Sequence, residues 1–233
     1  MIAAAVIVAG GQGLRMGTAV PKQLLKLNGI TILERTLIPF TQCPEIKSIV
    51  IVAAEAIIEH IKTSISQQLF NSKEVHIVQG GIERQSSVWN GILAVENTAD
   101  IIVIHDAVRP FITAQLITDS ITGAEVYGSV SVMRPIMETV KIVKDDTVIE
   151  TPDRSTLRIT QTPQAFRKNL IIQAHKKAIE DGYIGTDDCM LVERLGYPVH
   201  VIEGNDINIK ITTPTDLEIA KAILKRFEKR EIY

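Results

Sequence analysis

The chain has 233 residues, 45% of them hydrophobic and 22% charged, and its 25 basic and 27 acidic side chains leave a formal net charge of -2. That composition suits one globular domain with a sizeable core and supplies no general basic field for nucleic acid or an anionic membrane. Two cysteines without a C-x-x-C pair and five scattered histidines argue against a disulfide framework and a zinc site, and point to a reduced, cytoplasmic protein.

The apolar run Ile2 to Ala9 carries no basic leader and is far shorter than the roughly 20 residues of a membrane helix, so it reads as a buried first strand. It breaks into Gly10, Gly11, Gly13 and Gly17, with Arg15 and Lys22 threaded among and after the glycines. Glycines let backbone N–H groups approach an anion with no Cβ in the way, and two cations suit several phosphate oxygens. The loop is not a Walker A, because no glycine here precedes Lys and a hydroxyl residue. The dinucleotide fingerprint fails as well, since its sixth position is Met16. Glycines alone are equally a strand-to-helix turn; Arg15 and Lys22 favour anion binding.

Apolar β-branched runs then alternate with amphipathic stretches, the pattern of parallel strands joined by crossover helices. Thr31-x-x-Glu34 is a capping box that opens a helix to about Phe40. Ser48 to Ala53 reads as a doubly covered strand, followed by a helix with Ile57, Ile58, Ile61 and Ile65 on one face, and Glu74 to Val78 reads as the third strand. The segment Gln79 to Gly91 places Gly80 and Gly81 at a strand end and Ser86 and Ser87 in the next helical turn, with Trp89 in the core. It is a second potential ligand loop, although its residues alone need only a structural explanation.

Asp100 to His105 is the fourth strand and runs into Asp106-Ala107-Val108-Arg109-Pro110. A carboxylate and a guanidinium just past a buried parallel strand lie where open α/β sheets bind ligands, though a salt bridge at the next helix start would also account for them. A helix from about Thr113 to Tyr127 and a strand Ser129 to Met133 follow. From Ile136 two β-rich halves flank Lys144-Asp145-Asp146, which predicts a projecting hairpin arm with little apolar bulk, in need of a partner surface. After Gln161 to Phe166 come a helix to about Asp181 and Thr186-Asp187-Asp188 at another helix start, where the helix dipole alone explains the acids. Val199 to Ile202 is a strand, and Gly204 to Lys210 is expected to lead into another before Thr213 caps the last helix.

Taken in order, A-G-G-x-G-x-R-M-G with P-K-Q, then G-G-x-x-R-x-x-S-V, H-D-A-V-R-P, D-R-S-T-L, Q-T-P-Q-A-F, T-D-D and N-I-K-I-T-x-P-x-D resemble the 2-C-methyl-D-erythritol 4-phosphate cytidylyltransferase family. The resemblance runs nearly end to end. It implies an α/β fold: a single Rossmann-like, glycosyltransferase-A type nucleotidyltransferase domain over residues 1–233, with a mostly parallel sheet, helices on both faces and 136–158 as the β-arm.

The resemblance further implies CTP and a polyol phosphate as substrates, Mg²⁺ as cofactor, and a homodimer through the arm. Arg15, Lys22, Arg154 and Lys210 would be catalytic. Ala9, Gly10, Gly11, Gly13, Gly81, Ser87 and Asp106 would bind nucleotide, with Asp106 also at the metal. Arg109, Thr139, Arg154 and Lys210 would bind the acceptor. One departure stands at the last motif, where Ile207 precedes Asn208 in place of the family's frequent Asp, and Asp206 lies one position earlier. Ribitol 5-phosphate cytidylyltransferases share most of these motifs; Asp153 to Leu157 and Thr186 to Asp188 are more like the methylerythritol enzymes. A nucleotide-binding module without turnover would need neither both cations nor Asp106, and a dehydrogenase is disfavoured at Met16.

Overall fold

A computed structural model describes residues 1–11, 20–65, 67–70 and 73–230. The chain opens with β1 (Ala3–Ala9) and, past a one-turn helix at Lys22–Leu24, a small ladder of β2 (Lys26–Leu27) and β3 (Ile30–Thr31). Helix α1 (Ile32–Gln42) starts on the predicted capping box: Thr31 accepts from the Glu34 backbone, and the Glu34 carboxylate accepts from Thr31. There follow β4 (Ile46–Ala53), α2 (Glu55–Ser64), β5 (Glu74–Gln79), α3 (Arg84–Leu93), β6 (Ile101–Asp106), α4 (Ala114–Tyr127) and β7 (Ser129–Pro135). The hairpin β8 (Ile142–Lys144) and β9 (Thr147–Glu150) precedes β10 (Arg158–Arg167), α5 (Lys168–Glu180), α6 (Asp188–Arg194), β11 (His200–Glu203) and α7 (Pro214–Arg230).

Seven strands form one sheet in the order β11-β7-β10-β6-β1-β4-β5, parallel throughout except where β10 runs antiparallel between β7 and β6. Strand alternation decides which side chains go to which face. Along β1, Ala3, Ala5 and Ile7 meet α1, α2 and α4, represented by Leu37, Ile61 and Ile117, whereas Ala4 and Val6 meet α3, α5 and α6, represented by Val88, Ile171 and Leu191. Both faces are therefore covered by helices, as the strand–helix alternation predicted. A third cluster seats α7, through Ala220 and Leu224, against Leu27, Ile32, Phe111 and Ile211.

Two features depart from the sequence reading. Strand β10 contains Gln161 to Phe166, a stretch without clear alternation; buried on both sides inside the sheet, it had no polar face to betray it. The segment Gly204 to Lys210 leads into no strand. Its I-N-I-K-I alternation reflects Ile207, Ile209 and Ile211 packing against the α7 cluster. Its carbonyls bond side chains instead of a ladder: Asn208 O accepts from Arg109 and Gln161, and Asn205 O from Gln161.

The hairpin forms a separate two-stranded sheet turned at Asp145 and Asp146, both with positive φ (48° and 59°), as a two-residue primed turn requires. Ile142, Val143, Val148 and Ile149 are all exposed on it. Residue 158, the last of the predicted arm, already pairs with Pro135 in the main sheet.

Candidate active site

The C-terminal ends of β1, β5 and β6 open onto a cleft of about 590 Å³, the place where open α/β sheets receive ligands. One wall is the start of the glycine loop, Gly10 and Gly11, with Lys22. The facing wall is Gly80 and Gly81 with the first turn of α3, and the floor is Asp106 with Lys210 at its edge. Close packing holds the walls together: a Cβ on Gly80 would stand 2.9 Å from Ser87 Oγ, and one on Gly10 would stand 3.1 Å from the same oxygen. A Cβ at Gly80 would force the Ser87 hydroxyl to shift, and one at Gly10 would crowd it.

The Ser87 hydroxyl is spent inside the second loop, where it accepts from Gly81 N–H at 3.0 Å and donates to Glu83 O at 2.9 Å. It shapes the wall. Gln23, absent from the predicted site, does the same for the first loop: its Nε2 donates to Ala9 O and Gly11 O, both at 2.8 Å. Gly13 and Arg15 lie outside the described residues.

Asp106 ends β6 with its carboxylate among three cations. Lys210 Nζ lies 3.0 Å from Oδ2, Arg109 Nε 3.4 Å from Oδ2 and Arg84 Nε 3.4 Å from Oδ1. Burial would raise the Asp106 pKa, but Arg84, Lys210 and Arg109 outweigh it and hold the carboxyl far below the usual carboxylate range. Arg109 is itself buried, which lowers its pKa against the pull of Asp106, and its Nη1 donates to Asn208 O at 2.8 Å. The predicted salt bridge and the predicted ligand position are the same residues.

Arg84, the arginine of G-G-x-x-R-x-x-S-V, is a charged residue to which the sequence assigned no role. It stands in the first turn of α3, where the helix dipole disfavours a cation, and that misplacement was the available signal. Its Nη1 donates to Asp188 Oδ2 at 2.7 Å, so it bridges the buried Asp188 and Asp106. Burial opposes that charge, yet the two carboxylates raise the Arg84 pKa. Asp188 also meets His175 Nε2 at 3.2 Å, which corrects the dipole-only account of the T-D-D acids; Asp187 is the N-cap of α6. Trp89 is half-buried, packed against the edge of the second core cluster and stacked on His175.

Behind the cleft floor, His105 is fully buried, with Nε2 3.2 Å from Arg109 O and Nδ1 3.0 Å from Thr162 Oγ1. Burial is the main reason its pKa falls to about 4. Asn208, also buried, donates to Thr162 O at 2.9 Å. Asp206 is exposed and pairs with Arg134 at 3.1 Å, so it is not a carboxylate of the cleft.

Arg154 and Thr139 are on the exposed arm, outside the cleft, and Arg154 donates to Met137 O. A cluster of Glu74, His76 and Glu96 gathers near the start of β5, at the other end of that strand from the cleft-lining Gln79. Among the described residues no helix is long and apolar enough to cross a membrane.

The sequence family described as 2-C-methyl-D-erythritol 4-phosphate cytidylyltransferase matches residues 3–226. The chain belongs to that family. A relative bearing the same name from Caldanaerobacter subterraneus subsp. tengcongensis is 40% identical over 227 residues, covering 97% of this chain and 100% of the relative. One from Syntrophus aciditrophicus is 44% identical over 227 residues, with 97% of each covered. Among solved structures, the 4-diphosphocytidyl-2C-methyl-D-erythritol synthase of Anaerococcus prevotii superimposes with a TM-score of 0.84 at 31% identity, over 96% of this chain and 98% of that one. The 2-C-methyl-D-erythritol 4-phosphate cytidylyltransferase of Thermus thermophilus gives 0.78 at 28% identity, over 97% and 100%. Family membership makes the chain a CTP-dependent nucleotidyltransferase.

Proposed function

We propose that this cytidylyltransferase moves the cytidylyl group of CTP onto 2-C-methyl-D-erythritol 4-phosphate, giving 4-diphosphocytidyl-2-C-methyl-D-erythritol and pyrophosphate. The observation that carries the proposal is the convergence of both glycine walls, Lys22, Asp106 and Lys210 on one cleft in a chain of this family. A phosphate oxygen of the acceptor attacks the α-phosphorus of CTP, the bond from that phosphorus to the β-phosphate bridging oxygen breaks, and pyrophosphate leaves. No side-chain nucleophile is needed. Bringing two anions together and neutralising them supplies most of the catalysis.

Lys22 and Arg15 neutralise charge on the α-phosphate and its neighbours. Ala9, Gly10, Gly11 and Gly13 wrap the triphosphate, and the Gly81 wall, shaped by Ser87, receives the base. Asp106 serves the ribose side. Arg109 and Lys210 hold the acceptor phosphate. Asp106 is the carboxylate of the cleft floor, and because Arg84 pairs with its Oδ1 and Arg109 and Lys210 with its Oδ2, Mg²⁺ would be held chiefly by the substrate phosphates with Asp106 as the protein carboxylate beside them, an arrangement that suits that ion. When bound, Mg²⁺ supplies further neutralisation along the triphosphate.

Arg154 and Thr139, which lie outside the cleft of their own chain, act in the cleft of a second subunit that the arm enters. The arm's four exposed aliphatic side chains and its two-strand ladder, marginal alone in water, support a homodimer built through it. Buried, unpaired Cys43 and Cys189 agree with a reducing, cytoplasmic setting.

The test is pyrophosphate release with CTP and Mg²⁺, offering 2-C-methyl-D-erythritol 4-phosphate and ribitol 5-phosphate separately. Release with the first alone is expected. Release with ribitol 5-phosphate would reassign the acceptor, and silence with both in protein that binds CTP would leave a non-catalytic nucleotide-binding module.

A further inference from the structure

The hydrogen positions around His105 follow from its partners. The Arg109 carbonyl only accepts, so His105 Nε2, 3.2 Å away, carries a hydrogen. Thr162 Oγ1 accepts from Asp106 N–H at 3.1 Å and lies 3.0 Å from His105 Nδ1. The ring is fully buried against Phe40 and bonds no carboxylate among the described residues, so it is neutral and Nδ1 is bare. The one Thr162 hydroxyl hydrogen must then point at Nδ1. A single directed chain results: Asp106 N–H to Thr162 Oγ1, Thr162 O–H to His105 Nδ1, His105 Nε2–H to Arg109 O.

The place of this chain in the fold matters. Strand β10 pairs with β6 only as far as Ile104, so beyond it the Thr162 hydroxyl takes the Asp106 N–H in place of a ladder carbonyl. The turn from Asp106 to Arg109 carries both the carboxylate of the cleft floor and a guanidinium beside it, and His105 grips its two ends, one through Thr162 and one directly.

We propose that His105 is a positioning residue of the transfer reaction: in its neutral Nε2–H form it holds Asp106 and Arg109 in their mutual geometry and sets the direction of the Thr162 hydroxyl. This rests on the reading of the cleft as a cytidylyl-transfer site. The two ring nitrogens have separable tasks. His105→Gln leaves a donor near the Nε2 position and no acceptor for Thr162; His105→Asn leaves an acceptor near the Nδ1 position and no donor for the Arg109 carbonyl.

Two measurements test it. A two-bond ¹H–¹⁵N spectrum of the wild-type enzyme at pH 7 is expected to show His105 as the neutral Nε2–H tautomer; the Nδ1–H tautomer or a doubly protonated ring would overturn the proposal, whatever the enzyme's substrate. In steady-state kinetics, both variants are expected to lose at least tenfold in kcat with less than threefold change in KM for CTP. Only His105→Asn should also raise KM for the acceptor phosphate severalfold, because it alone frees the Arg109 end. Wild-type kinetics for both folded variants, or equal losses without that split, would reduce His105 to core filling. Absence of turnover in the wild type, by contrast, would count against the functional reading and leave the tautomer result standing.

Discussion

Lys210 Nζ lies 3.0 Å from Asp106 Oδ2, joining the loop before α7 to the end of β6 across the cleft floor. Lys210 is held there because Ile209 and Ile211 on either side face the α7 cluster and turn the lysine the other way. The contact makes the cation available to an incoming phosphate without burying it, since its side chain remains 38% exposed. Lys210→Ala should therefore lower kcat by about 10²–10³-fold, the usual cost of losing one charge-stabilising donor, and leave the thermal midpoint nearly unchanged. Turnover and calorimetric melting on the same sample check it; a large stability loss with intact kcat would move Lys210 from chemistry to scaffold.

Gln23 ties the Ala9 and Gly11 carbonyls with one amide. Gln23→Ala should raise KM for CTP by roughly tenfold, because the first glycine wall loses its tether, and cost about 1–2 kcal/mol in urea unfolding. An unchanged KM for CTP would mean that the loop holds its shape without the amide.

Stability should respond to acid in a defined window. His105 titrates near its ordinary value of about 6.5 when unfolded and at about 4 when folded. The unfolded chain binds the extra proton between those values, so the stabilisation is complete above about pH 6.5 and is lost as pH falls towards 4, by on the order of 3 kcal/mol. Asp106, whose folded pKa is depressed, adds its own loss only at still lower pH. In metal-free protein, denaturant midpoints measured from pH 7 to 4 should fall steadily, and His105→Gln should flatten that slope.

The arm makes a prediction about subunits. If Arg154 acts in the partner's cleft, Lys22→Ala and Arg154→Ala proteins, each inactive, should regain activity when mixed and re-equilibrated, because one of the two sites in a mixed dimer is intact. Random exchange gives about a quarter of wild-type turnover. Val148→Asp, placed on the exposed arm, should yield a monomer by light scattering with little turnover. Activity of that monomer at wild-type level would show that the cleft is complete within one chain.

Part of the candidate site was legible because phosphate chemistry demands particular residue types in particular local settings. Glycines at a strand end, lysine after proline and acid at the end of a buried strand each leave a mark within a few residues, and Gly10, Gly11, Lys22 and Asp106 line one cleft; Gly81, Ser87 and Lys210, which line it too, were pointed to only by the family resemblance. The roles that went unread depended on distant partners. Arg84 acquires its role only by meeting Asp106 and Asp188, Gln23 by meeting the carbonyls of β1's end and the following loop, and His105 by lying between Thr162 and Arg109.

The strand–helix alternation, the capping box at Thr31, the hairpin turn at Asp145 and Asp146 and the order of the motifs were determined by the sequence alone, since each is a matter of local dihedral preference, periodicity or residue type. Only the tertiary structure decided that β10 inserts antiparallel between β6 and β7, that Gly204 to Lys210 is a side-chain-fastened segment and no strand, and that one carboxylate is shared by three cations. Those outcomes rest on hydrogen bonds and charge pairs between residues far apart in the chain, whose free energy exists only once the sheet has brought them within reach.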